Sequence, residues 1–168
     1  MAITTESIKH AAMFGGRVRS FTEAKTSYSV ATAFLCHSHL DAELAKGIVH
    51  LLTDNGWDVY IDWEDASMPS TPNKETAKKI QGKIESMKYF LFLATENSMS
   101  SRWCPWEIGY ANGKKPIDNV LIIPTSERGR SHGNEYLELY RRLDQDKYGR
   151  VGVLTPGSFR QDTLSTLR

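Results

Sequence analysis

Val30-Ala31-Thr32-Ala33-Phe34-Leu35-Cys36 is a short apolar run, the kind that forms a strand covered on both faces. After it, Leu40, Leu44, Ile48 and Leu51/Leu52 recur at helical spacing, and Asn55-Gly56 supplies a left-handed stop. In Trp57-Asp58-Val59-Tyr60-Ile61-Asp62, the residues Trp57, Val59 and Ile61 alternate with Asp58, Tyr60 and Asp62, which is strand periodicity. A strand, a helix and a second strand with such short joints imply parallel neighbours linked by a right-handed crossover.

The same alternation continues downstream. A loop rich in Ser, Pro and Thr runs from Trp63 to Thr71. Pro72 then suits the first turn of a helix whose apolar stripe is Ala77, Ile80, Ile84 and Met87. Tyr89–Ala94 reads as a third, buried strand, and a short helix is expected around Pro105–Asn112. Val120–Ile123 reads as a fourth strand ended by Pro124. Tyr136, Leu139/Tyr140 and Leu143 read as a helix, and Val151–Leu154 as a fifth strand.

The pattern predicts an α/β protein with a flavodoxin-like, doubly wound, five-stranded parallel sheet over residues 30–156. Residues 1–29 read as an N-terminal extension with a Gly15-Gly16 break and a short helix around Phe21–Ser27. Residues 157–168 read as a C-terminal tail. On such a sheet, ligands bind beyond the carboxyl ends of the strands where the strand order reverses. The segments to inspect are therefore His37–Leu40, Asp62–Thr71, Thr95–Glu107 and Thr125–His132.

Composition narrows the function classes. The 168 residues fit one domain, and 40% hydrophobic with 24% charged residues is ordinary globular usage. Lys plus Arg at 21 against Asp plus Glu at 20 gives +1, so nothing electrostatic favours nucleic acid or an anionic membrane as partner. No apolar run approaches the roughly 20 residues that span a bilayer. The opening Met1-Ala2-Ile3-Thr4-Thr5-Glu6 lacks the basic and apolar regions of a secretory signal. The two cysteines, Cys36 and Cys104, are too few for a disulfide scaffold, and a reducing, cytoplasmic setting is expected.

Several chemistries fail on the residues. Cys36, His37 and His39 hint at a metal, but two histidines at spacing two have no second cluster nearby in sequence, so no metal is expected. Trp103-Cys104-Pro105-Trp106 lacks the second cysteine of a redox dithiol. A phosphate-accepting receiver needs paired acids after the first strand, where His37-Ser38-His39 stands. No glycine-rich phosphate loop is present.

Ser100–Ala111 is the most informative segment. With Pro105 in the first helical turn, Glu107 lies near the amino end, on the solvent-facing side of the cleft. It either complements the helix dipole, typically worth ~0.3–1 kcal/mol, or serves as a carboxylate held ionised by backbone amides. Trp103 lies one turn earlier on the same face. An aromatic wall beside a carboxylate suits a nucleoside, although core packing accounts for at least one of Trp103 and Trp106.

Three stretches together resemble the boxes of a bacterial Toll/interleukin receptor (TIR) domain. They are Phe34-Leu35-Cys36-His37-Ser38-His39-Leu40-Asp41, Trp57-Asp58-Val59-Tyr60-Ile61-Asp62 and Ser101-Arg102-Trp103-Cys104-Pro105-Trp106-Glu107. The resemblance covers Val30 to Leu154. It implies the five-stranded parallel sheet, cleavage of NAD between nicotinamide and ribose, self-association, and a place in bacterial antiphage immune signalling. By the same resemblance the catalytic glutamate is Glu107 and the nucleotide-stacking tryptophan is Trp103. His37 and Ser38 would line the phosphate side, and Asp62 and Trp63 would border the mouth.

The product would be ADP-ribose, a cyclic ADP-ribose or a conjugate, read by a separate effector protein. The loop Trp63–Thr71 would cover the pocket or meet a neighbouring subunit, although it has Ser67-Met68-Pro69-Ser70 where the family often has glycine. Two alternatives remain open: a non-enzymatic module that only assembles with other TIR domains, and an enzyme like the nucleoside deoxyribosyltransferases.

Overall fold

The computed structural model describes residues 2–14, 30–65, 73–136, 138–146, 148, 150–159 and 161–167. Five parallel strands form its centre: β2 (Ala31–Cys36), β3 (Trp57–Tyr60), β4 (Tyr89–Ala94), β5 (Val120–Glu127) and β7 (Arg141–Gln145). Their order is β3-β2-β4-β5-β7, so the chain reverses direction across the sheet between β2 and β4. That is the doubly wound arrangement expected from the sequence, and it opens a cleft at the carboxyl ends of β2 and β4.

Side-chain parity along the strands sorts the core into two layers. Ala33, Leu35, Leu91, Leu93, Leu121 and Ile123 face α2 (Ala42–Asp54), together with Ile48 and Leu52 of that helix. Phe34, Cys36, Phe90, Phe92 and Ile122 face α3 (Lys74–Ser86) and α5 (Cys104–Lys114). Phe34 and Phe90 stack across neighbouring strands at 5.8 Å between ring centroids. Each fully buried side chain of this kind contributes ~1.5–3 kcal/mol relative to its exposed state, so both layers matter.

The helices begin and stop where local chemistry allows. Asn73 caps α3, its Oδ1 accepting from the amides of Glu75 and Thr76. Thr95 and Ser98 make a reciprocal capping box on the short α4 (Glu96–Met99). Gly56 leaves α2 at φ 78°, the left-handed turn expected from Asn55-Gly56. Pro105 sits in the first turn of α5, also as expected.

Three expectations are corrected. The stretch from Tyr136 to Leu143 is not a helix: a 3-10 turn at Asn134–Tyr136 leads into strand β7. Its apolar residues divide between the two core layers, Tyr140 to one and Leu143 to the other, which only a strand can do. The sheet edge at β5 also gains a parallel partner this way, at Leu121↔Arg141 and Ile122↔Arg142. β8 (Val151–Leu154) consequently runs antiparallel to β7 and is not the fifth parallel strand. Finally, the fourth strand continues through Pro124 to Glu127, because β1 (Ile3–Thr4) pairs with Thr125 and Ser126 and extends its ladder.

The flanking segments join the same sheet. Helix α1 (Thr5–Phe14) packs on α2, and a Cβ on Gly47 would stand 2.1 Å from the Ile8 carbonyl oxygen. Strand β9 (Gln161–Thr163) pairs with β8, and Leu164 is buried in the core. Short β6 (Arg130–Ser131) folds back on β5. The expected helix around Phe21–Ser27, the Gly15-Gly16 break, Pro72 and residues 66–71 of the loop lie outside the described residues. Among the described residues no helix is long and apolar enough to cross a membrane.

Candidate active site

Helix α5 presents Cys104, Glu107, Ile108 and Ala111 on one buried stripe. Spacings of three and four residues put these four side chains on the face that meets β2 and β4. Three of them are core residues. The fourth is a carboxylic acid, and Glu107 is only 6% exposed.

This environment differs from the solvent-facing helix end expected from the sequence. Glu107 does lie in the first turn, and its amide donates to the Trp103 carbonyl at 2.8 Å. Its side chain turns inward, beneath the end of β2, rather than outward along the helix axis. Burial raises its pKa from 4.5 to about 8. The neighbouring Cys36 thiol acts in the opposite direction, while the charges of Cys104 and Asp62 add to the rise. The free site therefore holds Glu107 as a neutral acid at neutral pH, not as a carboxylate ionised by backbone amides.

The two cysteines line this acid. Cys36, at the last position of β2, has even parity and so points toward α5. Its Sγ lies 4.0 Å from the Cys104 carbonyl oxygen. Burial pushes the Cys36 thiol well above its ordinary value, whereas the neighbouring Cys36 draws the Cys104 thiol down. Both thiols are free.

Trp103 is the residue from which α5 starts, and it is half-buried against the core layer beneath. Trp106 meets it edge-on at 5.4 Å between centroids and in turn stacks on Tyr110 at 5.9 Å. Trp106 is 37% exposed, so of the two rings Trp103 is the one packed against the core.

The rim opposite is built by the loops after β2 and β3. The register Phe34↔Tyr60, carried forward, places Cys36 beside Asp62 and His37 beside Trp63. His37 is buried, and its Nδ1 donates to the Leu35 carbonyl at 3.1 Å. Its Nε2 faces Asp62 Oδ1 at 3.8 Å. Burial lowers the pKa of His37 against the pull of Asp62, which keeps the ring neutral. Trp63 packs edge-on against His37 at 4.4 Å and against the core. Ser38 caps the 3-10 turn at His39–Asp41, its hydroxyl oxygen accepting from the Leu40 amide at 3.3 Å.

The structure thus brings Glu107, Asp62, His37 and Trp63 together at the carboxyl ends of β2 and β3, with Trp103 at the start of α5 and Ser38 capping the turn after β2. Sequence reading passed over three contributors. The sequence offers Cys36 as a metal candidate and Cys104 as half of a redox dithiol, although strand parity and the helical stripe place both beside Glu107. Asp41 was not singled out. It is buried, accepts from Thr95 Oγ1 at 2.5 Å and Asn97 Nδ2 at 2.7 Å, and ties the loop after β2 to the loop after β4.

A cleft at the strand-order reversal, with a buried acid and an aromatic wall, can hold a nucleotide and stabilise positive charge on its sugar. The family model described as "TIR domain" matches residues 33–150. A protein of Bacillus cereus (strain MSX-D12) named "Probable 3' cyclic ADP-D-ribose synthase ThsB'" is 38% identical over 110 residues, covering 64% of this chain and 57% of that protein. A protein of Cytobacillus dafuensis named "Putative cyclic ADP-D-ribose synthase TIR2" is 27% identical over 81 residues, covering 46% of this chain and 21% of that protein. The chain therefore spans less than two thirds of the length of either relative.

Proposed function

The chain belongs to the TIR domain family, and from that premise we propose that it is an enzyme that cleaves NAD between nicotinamide and ribose to make an ADP-ribose signal. Both relatives are named as cyclic ADP-D-ribose synthases, which favours a cyclic product over the linear one. The observation that carries the reading is the burial of Glu107 beneath the end of β2, among Cys36, Cys104 and the charge of Asp62.

The reaction asks for charge stabilisation rather than acid catalysis. The nicotinamide ring of NAD is cationic, so the electron pair of the breaking C1′–N bond departs with it as a neutral leaving group. The ribose acquires oxocarbenium character, as in glycoside cleavage. A carboxyl with a pKa of about 8 is neutral in the empty site, and the incoming cation favours its ionised form. Glu107 then opposes the sugar's charge in a poorly solvated place where that opposition is strong.

A new bond from C1′ to a hydroxyl or ring nitrogen of the same nucleotide closes the cyclic product. Capture by water gives ADP-ribose. The proton released by a hydroxyl nucleophile passes to the Glu107 carboxylate. Trp103 stacks on a ring and selects the nucleophile by holding the nucleotide folded. His37, Ser38, Asp62 and Trp63 form the opposite wall of the nucleotide site. Residues 63–71 complete it through a neighbouring subunit of the same chain. The free thiols of Cys36 and Cys104 suit a reducing cytoplasm, and a separate effector protein receives the product in antiphage signalling.

Incubation of the purified protein with NAD, followed by mass analysis, tests the reading. Nicotinamide with a cyclic ADP-ribose is the expected outcome. Intact NAD, at protein concentrations high enough to assemble, would leave the non-enzymatic assembly module instead.

A further inference from the structure

The loops after β2 and β3 bring together a group that sequence spacing keeps apart. Among the described residues, His37, His39 and Asp62 each offer one ligand atom, and the three atoms lie within 4.8 Å of one another. The Leu35 carbonyl can only accept, so Nδ1 of His37 carries a proton and Nε2 is the nitrogen left to face a ligand. That nitrogen faces a carboxylate oxygen, Asp62 Oδ1, at 3.8 Å, beyond hydrogen-bond length. His37 is 8% exposed, and neither His37 Nε2 nor Asp62 Oδ1 has a hydrogen-bond partner among the described residues. Two buried polar atoms that face each other beyond hydrogen-bond reach carry a desolvation cost, which an ion held between them would remove.

We propose that His37, His39 and Asp62 form a binding site for a transition-metal dication of the zinc class at the mouth of the cleft, and that the bound ion is an inhibitor. Two imidazoles and one carboxylate are a zinc-type donor set, poorly suited to magnesium or calcium, which prefer oxygen alone. Zinc bonds run to about 2.0–2.2 Å, so an ion between atoms 3.8 Å apart needs them to close by about 0.4 Å to reach a tetrahedral angle. The hydrogen bond from Nδ1 to a backbone carbonyl is the usual outer support of a metal-bound imidazole, and the Trp63 edge holds the ring from the side. His39 is exposed and free to swing in as the third ligand. The inhibition rests on the NAD reading above, since the ion would occupy two groups of the nucleotide site; the binding does not.

The test separates the two. Zinc chloride alone is titrated calorimetrically into the full chain without NAD or chelator. One ion per chain is expected, with no comparable binding of magnesium. Asp62→Asn and His39→Gln should each weaken zinc by at least the 10–100-fold that even an outer partner's loss costs, with melting temperature confirming that both fold. No zinc binding by the parent would overturn the site, as would parent affinity in both variants. So would binding that survives in both and disappears in Cys104→Ser. If NAD is cleaved, His39→Gln should keep the basal rate in chelator and raise the half-inhibiting zinc concentration by the factor seen in calorimetry. Unchanged inhibition in that variant would remove the inhibitory role.

Discussion

Cys36 and Glu107 are neighbours in the core layer between β2 and α5, the thiol at the end of the strand and the carboxyl in the first turn of the helix. The thiol favours the ionised acid, while burial among apolar neighbours favours the neutral one and prevails. This opposition sets the pH at which the acid can act.

Activity should therefore rise with pH. If the carboxylate is the working form, kcat/KM increases through the pKa of the free enzyme and levels above about 8. Cys36→Ala removes the thiol that favours ionisation, so its profile should lie at higher pH than the parent's. Initial rates from pH 6 to 9.5 for both proteins check this, and coincident profiles would remove Cys36 from the positioning of Glu107.

The same acid should leave a mark on stability. An unfolded glutamate ionises near 4.5 and the folded one at about 8, so between these values the native state holds one more proton than the unfolded state. This contribution is full below about pH 4.5 and is lost as pH rises toward 8. Glu107→Gln stays neutral throughout. Its stability advantage over the parent should grow across that window by up to about 1.4 kcal/mol per pH unit. Urea melts of the two proteins at pH 5, 6.5 and 8 measure the gap, and a constant gap would contradict the burial of an ionisable acid.

The strand-order reversal, and with it the place of the cleft, was legible in the sequence. The run Val30–Cys36 and the alternation Trp57–Asp62 set two parallel neighbours, and Asn55-Gly56 marked the stop between them. Glu107 and Trp103 were legible as a pair because Pro105 fixes the start of their helix. The inward turn of Glu107 was also written there, in the stripe Cys104, Ile108 and Ala111, but a charged residue at a core position reads as solvent-facing until its neighbours are counted. The strand at Arg141–Gln145 was not legible: Tyr136, Tyr140 and Leu143 fit a helical spacing, and only the unfilled edge of β5 decides otherwise. Nor was the meeting of His37 with Asp62, which depends on strand register rather than on spacing.

Trp103→Ala should change what the enzyme makes. A ring that holds the nucleotide folded favours attack by the nucleotide on itself, and its loss admits water. The cyclic fraction should fall and the Michaelis constant rise, as read by chromatography of products over a range of NAD. An unaltered product ratio with unaltered affinity would assign Trp103 to packing alone.

Assembly should appear as a concentration dependence. If a neighbour completes the site through residues 63–71, dilution separates the subunits and specific activity falls. Met68→Asp puts a charge into that stretch and should flatten the curve with the monomer still folded. Constant specific activity over a hundredfold dilution, with monomeric scattering throughout, would contradict the shared site.

The rate of nicotinamide release by Glu107→Gln tests the central claim most directly. The substitution keeps shape and removes only the ability to carry negative charge, so the folded protein should remain while the sugar's developing cation loses its partner. Loss of one such stabiliser costs ~10²–10³ in rate. A drop of that order at pH 8, with an unchanged circular dichroism spectrum, is the expected result. Release at the parent rate would show that Glu107 does not carry the reaction.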